Sequence, residues 1–321
     1  MSKELIKEKL NKFGSQKEPF LFVISYDLSK FYIEKLSKLP TSIKYEFNLK
    51  EHHKTKNKKS KLEKFPISFE EYKNKFEVLQ EEIRKGNSYL LNLTSKTKIY
   101  IDTSLDEIFE NTNAKFKLRY KNLDDDFVCF SPERFVEIKK NKIFTYPMKG
   151  TIDANIPNAE ARILGDVKEM AEHTMVVDLL RNDLGKVANN IKVEEFRTFS
   201  KIVTKDRELF QTSSIISGDL QNNWQEKIGD ILSNILPAGS ITGTPKKSTI
   251  EILNNIENYD RGFYSGIFGI FDGINLQSFV LIRFIENINN ELFYKSGGGI
   301  TSDSTAKEEY EELLNKVYLP F

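Results

Sequence analysis

Residues 262–295 read GFYSGIFGIFDGINLQSFVLIRFIENINNELFYK. Aromatic and β-branched side chains fill both flanks of Asp272-Gly273, a dipeptide that favours tight hairpin turns, and a second turn pair stands at Asn289-Asn290. The spacing predicts strands over 262–271, 276–286 and 292–295, joined as an antiparallel meander. Outward from this segment, further strand-like runs occupy 97–101, 115–120, 127–131, 134–138 and 142–146, the last two joined through Lys139-Lys140-Asn141. Helical patterns stand between these clusters. Phe69, Tyr72, Phe76, Leu79 and Ile83 repeat at helical spacing behind a Ser68/Glu71 capping box, with Gly86 placed to end the helix. Others are expected over 160–185, at Trp224, Ile228, Ile231 and Ile235, from Pro245 as first helical residue, and along Ala306, Tyr310, Leu313 and Val317. Strands grouped in hairpins with helices between the groups indicate an α+β fold of antiparallel sheets covered by helices, not alternating βαβ units.

The 321 residues carry 48 basic and 47 acidic side chains, a net charge of +1, which argues against nucleic-acid binding driven by bulk charge. No apolar run approaches the ~20 residues needed to span a bilayer, and the start lacks an apolar signal core, so a cytoplasmic protein without a membrane partner is expected. A single cysteine, Cys129, excludes an internal disulfide framework and any multi-cysteine zinc site. Near the N-terminus, Phe20–Ile24 is a strand candidate between two lysine-rich segments that could be helical. From Lys50 to Lys64 there are seven lysines, and this stretch reads as an exposed connection; His52-His53 lacks a third metal ligand nearby. The expected organisation is a short N-terminal segment with its lysine-rich connection, 1–64, in the same globule as a catalytic domain, 65–321.

Three constellations could carry chemistry. The helix near 166–185 is apolar almost all round, predicting burial, yet it carries Glu169 and Glu172 three residues apart, beside His173. The last helix repeats the arrangement with Glu309, Glu312 and Lys316. Two carboxylate pairs suit an Mg²⁺ ion that takes water and substrate oxygens as further hard ligands, although acids on a terminal helix also commonly face solvent. Second, the 237–246 loop and Gly297-Gly298-Gly299 can expose backbone N–H groups to an anion, or serve only as turns. The loop is not a Walker A motif, because the glycine spacing before Lys247-Ser248 is wrong. Third, Lys149 stands at a strand end before Gly150; it is a surface charge or, if deprotonated in a buried site, a nucleophile.

Taken together, Phe130–Phe135, Pro147–Thr151, Lys168–Leu184, Pro237–Lys246, Arg261–Gly266, Ile282-Arg283 and Gly297–Lys316 resemble the chorismate-utilising enzyme family, in family order across about 68–318. The resemblance is strongest to its branch that makes 4-amino-4-deoxychorismate for p-aminobenzoate and folate synthesis. It implies two large antiparallel sheets packed face to face with helices outside. It also implies Mg²⁺ held by Glu172 and Glu312 with Glu169 and Glu309 in support, and chorismate gripped by Ser240, Tyr264, Arg283, Lys316 and the backbone at Gly298 and Gly299. Lys149 would be the nucleophile, Glu133 the acid, and ammonia would come from a separate glutaminase subunit. Anthranilate synthase component I is the neighbouring reading within the family, usually with a small residue at the Lys149 position; a non-catalytic scaffold is the reading outside catalysis. Two positions depart from the family pattern: Leu90, where amine-using relatives usually carry glutamine, and Gln211, where many carry histidine.

Overall fold

The computed structural model describes residues 2–47, 60–112, 114–203 and 208–320. Most of the lysine-rich connection, with His52 and His53, lies outside them. Two antiparallel sheets and eight α-helices make up the fold among the described residues. One sheet has nine strands, ordered Met148–Asp153, Glu208–Asp219, Lys142–Thr145, Arg134–Lys139, Leu276–Val280, Ile267–Phe271, Phe20–Ile24, Phe31–Lys35, with Asn189–Val203 also paired to Glu208–Asp219. The other has eight, ordered Gly243–Thr244, Leu90–Ile101, Glu291–Ile300, Phe284–Ile288, Asp126–Ser131, Phe116–Lys121, Lys44–Phe47, with Leu62–Phe65 also on Leu90–Ile101. The chain divides into two compact units: 1–22, 134–240 and 269–278 in the first, 23–133, 241–268 and 279–321 in the second.

In the second unit, the helix Phe69–Arg84 forms where its apolar stripe predicts it. Ser68 Oγ accepts the Glu71 N–H at 3.1 Å, and Gly86 follows the helix end in the left-handed conformation, φ +77°. Its buried Tyr72, Phe76 and Leu79 pack with Leu91, Leu93 and Ile300 of two neighbouring strands and with Leu313 of the last helix, Ala306–Asn315. These contacts fix the final helix against the strand that carries the glycine run. On another face, Phe116 and Phe279 stack at 3.7 Å between ring centroids.

The predicted strand over 276–286 is two strands. Leu276–Val280 belongs to the nine-stranded sheet and Phe284–Ile288 to the eight-stranded one, and the chain changes sheet through Leu281–Arg283, where Arg283 adopts φ +53°. Val280, Leu281 and Ile282 carry no turn signal, so the apolar run hides the break. The strand predicted from residue 262 begins only at Ile267, after a turn. The lysine-rich segment following Phe20–Ile24 forms two strands around a short 3₁₀ turn, Leu36–Lys38, not an α-helix: Phe31–Lys35 and Lys44–Phe47 together are mostly aromatic and β-branched, each with its one lysine at an end. Pro245 is the residue before helix Lys246–Ile256, not its first residue.

In the first unit, the N-terminal helix Ser2–Ser15 lies against Ile228–Ile235, and glycines permit the approach. A Cβ on Gly229 would stand 2.2 Å from Lys7 O, and one on Gly14 would stand 2.0 Å from Gln225 O. Asn11 crosses the contact, its Nδ2 donating to Asp230 Oδ2 and its Oδ1 accepting the Gly229 N–H, both at 2.7 Å. Gly229→Ala is therefore expected to cost about 1–3 kcal/mol through overpacking. The control is Gly185→Ala, where nothing lies within 4 Å of the new methyl and stability should be unchanged or slightly higher. Thermal unfolding checks both; equal melting temperatures for the two variants would refute the close crossing.

Candidate active site

Each unit carries a glutamate pair three residues apart on a helix with a lysine on its second member: Glu169 and Glu172 with Lys149 in the first, Glu309 and Glu312 with Lys316 in the second. In the first unit the expected single helix over 160–185 is two, Ala159–Gly165 and Val167–Gly185, separated by Asp166, which accepts the Glu169 N–H at 3.0 Å and caps the second helix. The reading of a helix buried all round fails for its first turns. Val167 and Met170 are exposed, at 81% and 39%, while Val176, Val177, Leu180 and Leu184 pack inward. Glu169 and Glu172 lie half-buried at the edge of the packed face.

Lys149 is inside a strand, Met148–Asp153, rather than at a strand end. Its pairing with Glu208–Asp219 slips between Lys149 and Thr151, forming a bulge at Gly150, whose φ is +69°. A glycine within a strand is the sequence signal for such a bulge, because only glycine takes this conformation at no steric cost. The Lys149 ammonium donates to Glu172 Oε2 at 3.3 Å, and the two side chains are 27% and 14% exposed. Gly150 also leaves room for the acids, since a Cβ there would come within 3.0 Å of Glu169 Oε2. Burial, then repulsion from Glu172, raises the Glu169 carboxyl above its usual range, against an opposing pull from Lys149.

His173 is fully buried behind this pair, with Nε2 and Ser214 Oγ 2.6 Å apart. Ser214 Oγ also accepts the Arg197 N–H at 2.9 Å. Burial, then Arg197 and Lys149, lowers the imidazole to about 4, so it is neutral near pH 7. This serine and arginine were missed because both come from distant strands. Gln211 is half-buried on the strand opposite Thr151. Ser240 lies in a short 3₁₀ turn, Gly239–Ile241, half-buried.

The second unit repeats the acidic arrangement. Glu309 is buried at 8% and accepts Ser304 Oγ at 2.7 Å, so it does not face solvent as terminal-helix acids commonly do. Glu312 is exposed and pairs with Lys316 at 2.5 Å, while Lys316 Nζ also donates to Gly297 O at 2.7 Å. A Cβ on Gly298 would stand 3.2 Å from Glu309 Oε2 and 3.6 Å from Glu312 Oε1, so both carboxylates converge on bare backbone.

The glycine run is a strand, not a loop. Gly297, Gly298 and Gly299 face Thr94, Leu93 and Asn92, while pairing to Phe284–Ile288 on the other edge ends at Lys295. Alternate backbone groups beyond Lys295 therefore point away from the Leu90–Ile101 strand on an edge that Phe284–Ile288 does not cover. Tyr264 is buried, its phenol pushed up to about 12 by burial despite Arg261 and Arg283 nearby. Arg283 Nε donates to Tyr318 OH at 3.3 Å. Glu133 is half-buried, its N–H donating to Ser131 Oγ at 3.1 Å and its carbonyl accepting the Val280 N–H. Leu90, buried at 3%, opens the Leu90–Ile101 strand opposite Thr244. Cys129 is buried and donates to Ile282 O at 3.1 Å; burial raises its thiol and leaves it poorly nucleophilic.

The donor chemistry fits Mg²⁺. Both glutamate pairs offer hard oxygens beside a glycine that a side chain would crowd, and Glu169, raised first by burial and then by Glu172, is a carboxyl whose ionised form a cation would favour. Among the described residues no group of three or more His, Cys, Asp or Glu side chains is assembled as a protein-only metal site. No helix among them is long and apolar enough to cross a membrane.

Residues 8–320 match the chorismate binding enzyme family. The chain is 47% identical to an uncharacterized PabA-like protein of Pasteurella multocida, over 100% of this chain and 99% of that one. It is 31% identical to aminodeoxychorismate synthase component 1 of Bacillus subtilis over 79% of this chain, and it spans about half, 55%, of that protein's length. Among solved structures, anthranilate synthase component I of Streptococcus pneumoniae superposes with a TM-score of 0.69 at 25% identity, covering 79% of this chain and 58% of that one. With nearly its whole length matched, this chain belongs to the chorismate-binding enzyme family.

Proposed function

We propose that the protein aminates chorismate to 4-amino-4-deoxychorismate, with ammonia delivered by a glutaminase subunit, as a cytoplasmic step toward p-aminobenzoate and folate. The observation that carries this reading is Lys149: an amine aimed by the Gly150 bulge at Glu172, on the helix that also bears Glu169. The likeness to an aminodeoxychorismate synthase supports it. A small residue at position 149 would instead leave space for direct addition of ammonia, the anthranilate outcome.

In the proposed sequence the free amine of Lys149 bonds to ring C2 as both ring double bonds shift toward C4 and the C4–O bond breaks. Glu133 donates the proton with which that hydroxyl leaves as water. Ammonia then bonds to C4, and the C2–N bond to Lys149 breaks, returning the lysine. Attack requires an unprotonated amine, and Glu172 Oε2, 3.3 Å away, is the carboxylate in contact with it. Glu172 and Glu312, supported by Glu169 and Glu309, are the proposed Mg²⁺ ligands; the cation would neutralise the ring carboxylate. Tyr264, Arg283, Lys316, Ser240 and the backbone at Gly298 and Gly299 would hold the substrate. Arginine supplies a planar fork that matches a carboxylate.

Purified protein incubated with chorismate, Mg²⁺ and ammonium should yield p-aminobenzoate only after an aminodeoxychorismate lyase is added. Anthranilate formed without the lyase, or no turnover at all, sinks the reading. Lys149→Ala should lower the rate by about 100-fold or more while chorismate binding stays close to that of the parent, because a covalent step is lost and the carboxylate grips remain. Intact-mass measurement of the parent during turnover should show a chorismate-derived adduct that the variant lacks. A variant as fast as the parent removes Lys149 from the mechanism.

A further inference from the structure

In the second unit, a turn near residue 260 is held by two buried cations. Glu257 and Arg261 are 5% and 3% exposed, and they bond through both carboxylate oxygens: Arg261 Nε to Glu257 Oε2 at 2.7 Å and Nη2 to Oε1 at 2.6 Å. The guanidinium also donates to backbone, from Nη2 to Asn92 O at 2.7 Å and from Nη1 to Ile241 O at 3.1 Å. Glu257 Oε1 takes two more bonds from Thr94, from its N–H at 2.9 Å and its Oγ1 at 2.8 Å. Asn92 faces Gly299 and Thr94 faces Gly297, so the ion pair grips the neighbouring strand on either side of Leu93, the residue opposite Gly298.

The second cation acts from the glycine strand itself. Lys295, two residues before Gly297 and 2% exposed, donates to Arg261 O at 2.9 Å and to Asp260 O at 3.3 Å, with Glu286 as its ionic partner at 2.7 Å. The Arg261 carbonyl in turn accepts the Tyr264 N–H at 3.0 Å. Arg261 thus ties the turn to the strand beside the glycine run, and Lys295 ties the glycine strand to the turn. For stability alone, apolar residues of similar volume commonly do as well as a buried ion pair. What the bonds to Asn92 O, Ile241 O, Arg261 O and Asp260 O specify is register, since each of these ends on a backbone carbonyl at one position.

We propose that Arg261 and Lys295 are positioning residues that set Tyr264 at a fixed distance from the Gly298-Gly299 backbone, making the two one cradle for a carboxylate of the substrate. This rests on the reading that Tyr264 and the glycine run hold chorismate. Neither cation touches the substrate; each acts through backbone.

Two variants test it. Arg261→Lys keeps a charge for Glu257, but one ammonium cannot serve Asn92 O, Ile241 O and both glutamate oxygens together. Lys295→Met keeps the apolar stem and removes the donor. The measurements are calorimetric binding of chorismate to the Mg²⁺-loaded full chain, KM for chorismate and for ammonia, and melting temperature. Each variant should weaken chorismate binding about tenfold or more, since misplacing a grip by about an ångström is costly. The KM for ammonia should stay within about twofold, and the double variant should lose less than the product of the single losses, because both residues serve one register. Binding of chorismate by both variants within about twofold of the parent overturns the proposal, as does a parallel rise in both KM values. Should Arg261→Lys not fold, Lys295→Met is read by the same criterion; loss of folding in both assigns the pair to stability and also overturns it. A parent that binds no chorismate overturns the functional reading first, and this inference with it.

Discussion

The bidentate bond between Arg261 and Glu257 is the constraint from which the second unit's architecture follows. Burial works against both charges, yet Glu257 outweighs it and holds the guanidinium more firmly protonated than usual. Removing either partner would leave a buried charge unpaired, which typically costs about 3–5 kcal/mol. Around this pair the chain has little freedom. Thr94, Asn92 and Ile241 come from two separate segments, and each must present a backbone or hydroxyl group at hydrogen-bond distance. The eight-stranded sheet thereby acquires a fixed point beside its glycine run.

A second constraint is the space that glycine leaves. At Gly243, φ +131°, a Cβ would lie 1.9 Å from Leu90 O, so the short strand Gly243–Thr244 can approach Leu90–Leu91 only without a side chain. Gly150 and Gly298 do for carboxylates what Gly243 does for a carbonyl. In each unit a glutamate pair lies over bare backbone, and in each the second glutamate takes a lysine. Two helices distant in sequence arrive at the same local solution because the same problem recurs: two like charges one helical turn apart need a counter-charge and room for their oxygens.

Much of this was legible in the sequence. The α+β class followed from hairpin dipeptides such as Asp272-Gly273, and the helix at 69–84 from its apolar spacing and its Ser68 cap, because both signals are local. The sheet change at Arg283 was not, since the apolar run Val280–Ile282 suits a strand in either sheet and only tertiary pairing decides. The two carboxylate pairs were visible as spacing, but the burial of Glu309 was not, because it depends on Ser304 and on how the last helix docks through Leu313. Lys149 was singled out by its glycine neighbour, yet the bulge that aims it needs the partner strand to be known. The Arg261 network escaped notice for the same reason: its acceptors are backbone carbonyls, which no residue pattern announces.

The ion pairs of the two regions differ in kind, and the difference fits their proposed roles. Lys149–Glu172 and Lys316–Glu312 retain solvent contact, with the lysines 27% and 25% exposed. Glu312 is the more exposed of the two acids, and a pair on an exposed carboxylate contributes about 0–1 kcal/mol, so Glu312 can exchange its lysine for another cation at little cost. Arg261–Glu257 is 3% and 4% exposed, with its donors committed to fixed carbonyls. A site that must trade ligands and protons during turnover is served by weak, wet pairs, whereas a cradle that must keep its dimensions is served by a dry one. The molecule has both, and the strand Glu291–Ile300 joins them: Lys295 holds the Arg261 turn, and two residues later Gly297 O accepts the bond from Lys316.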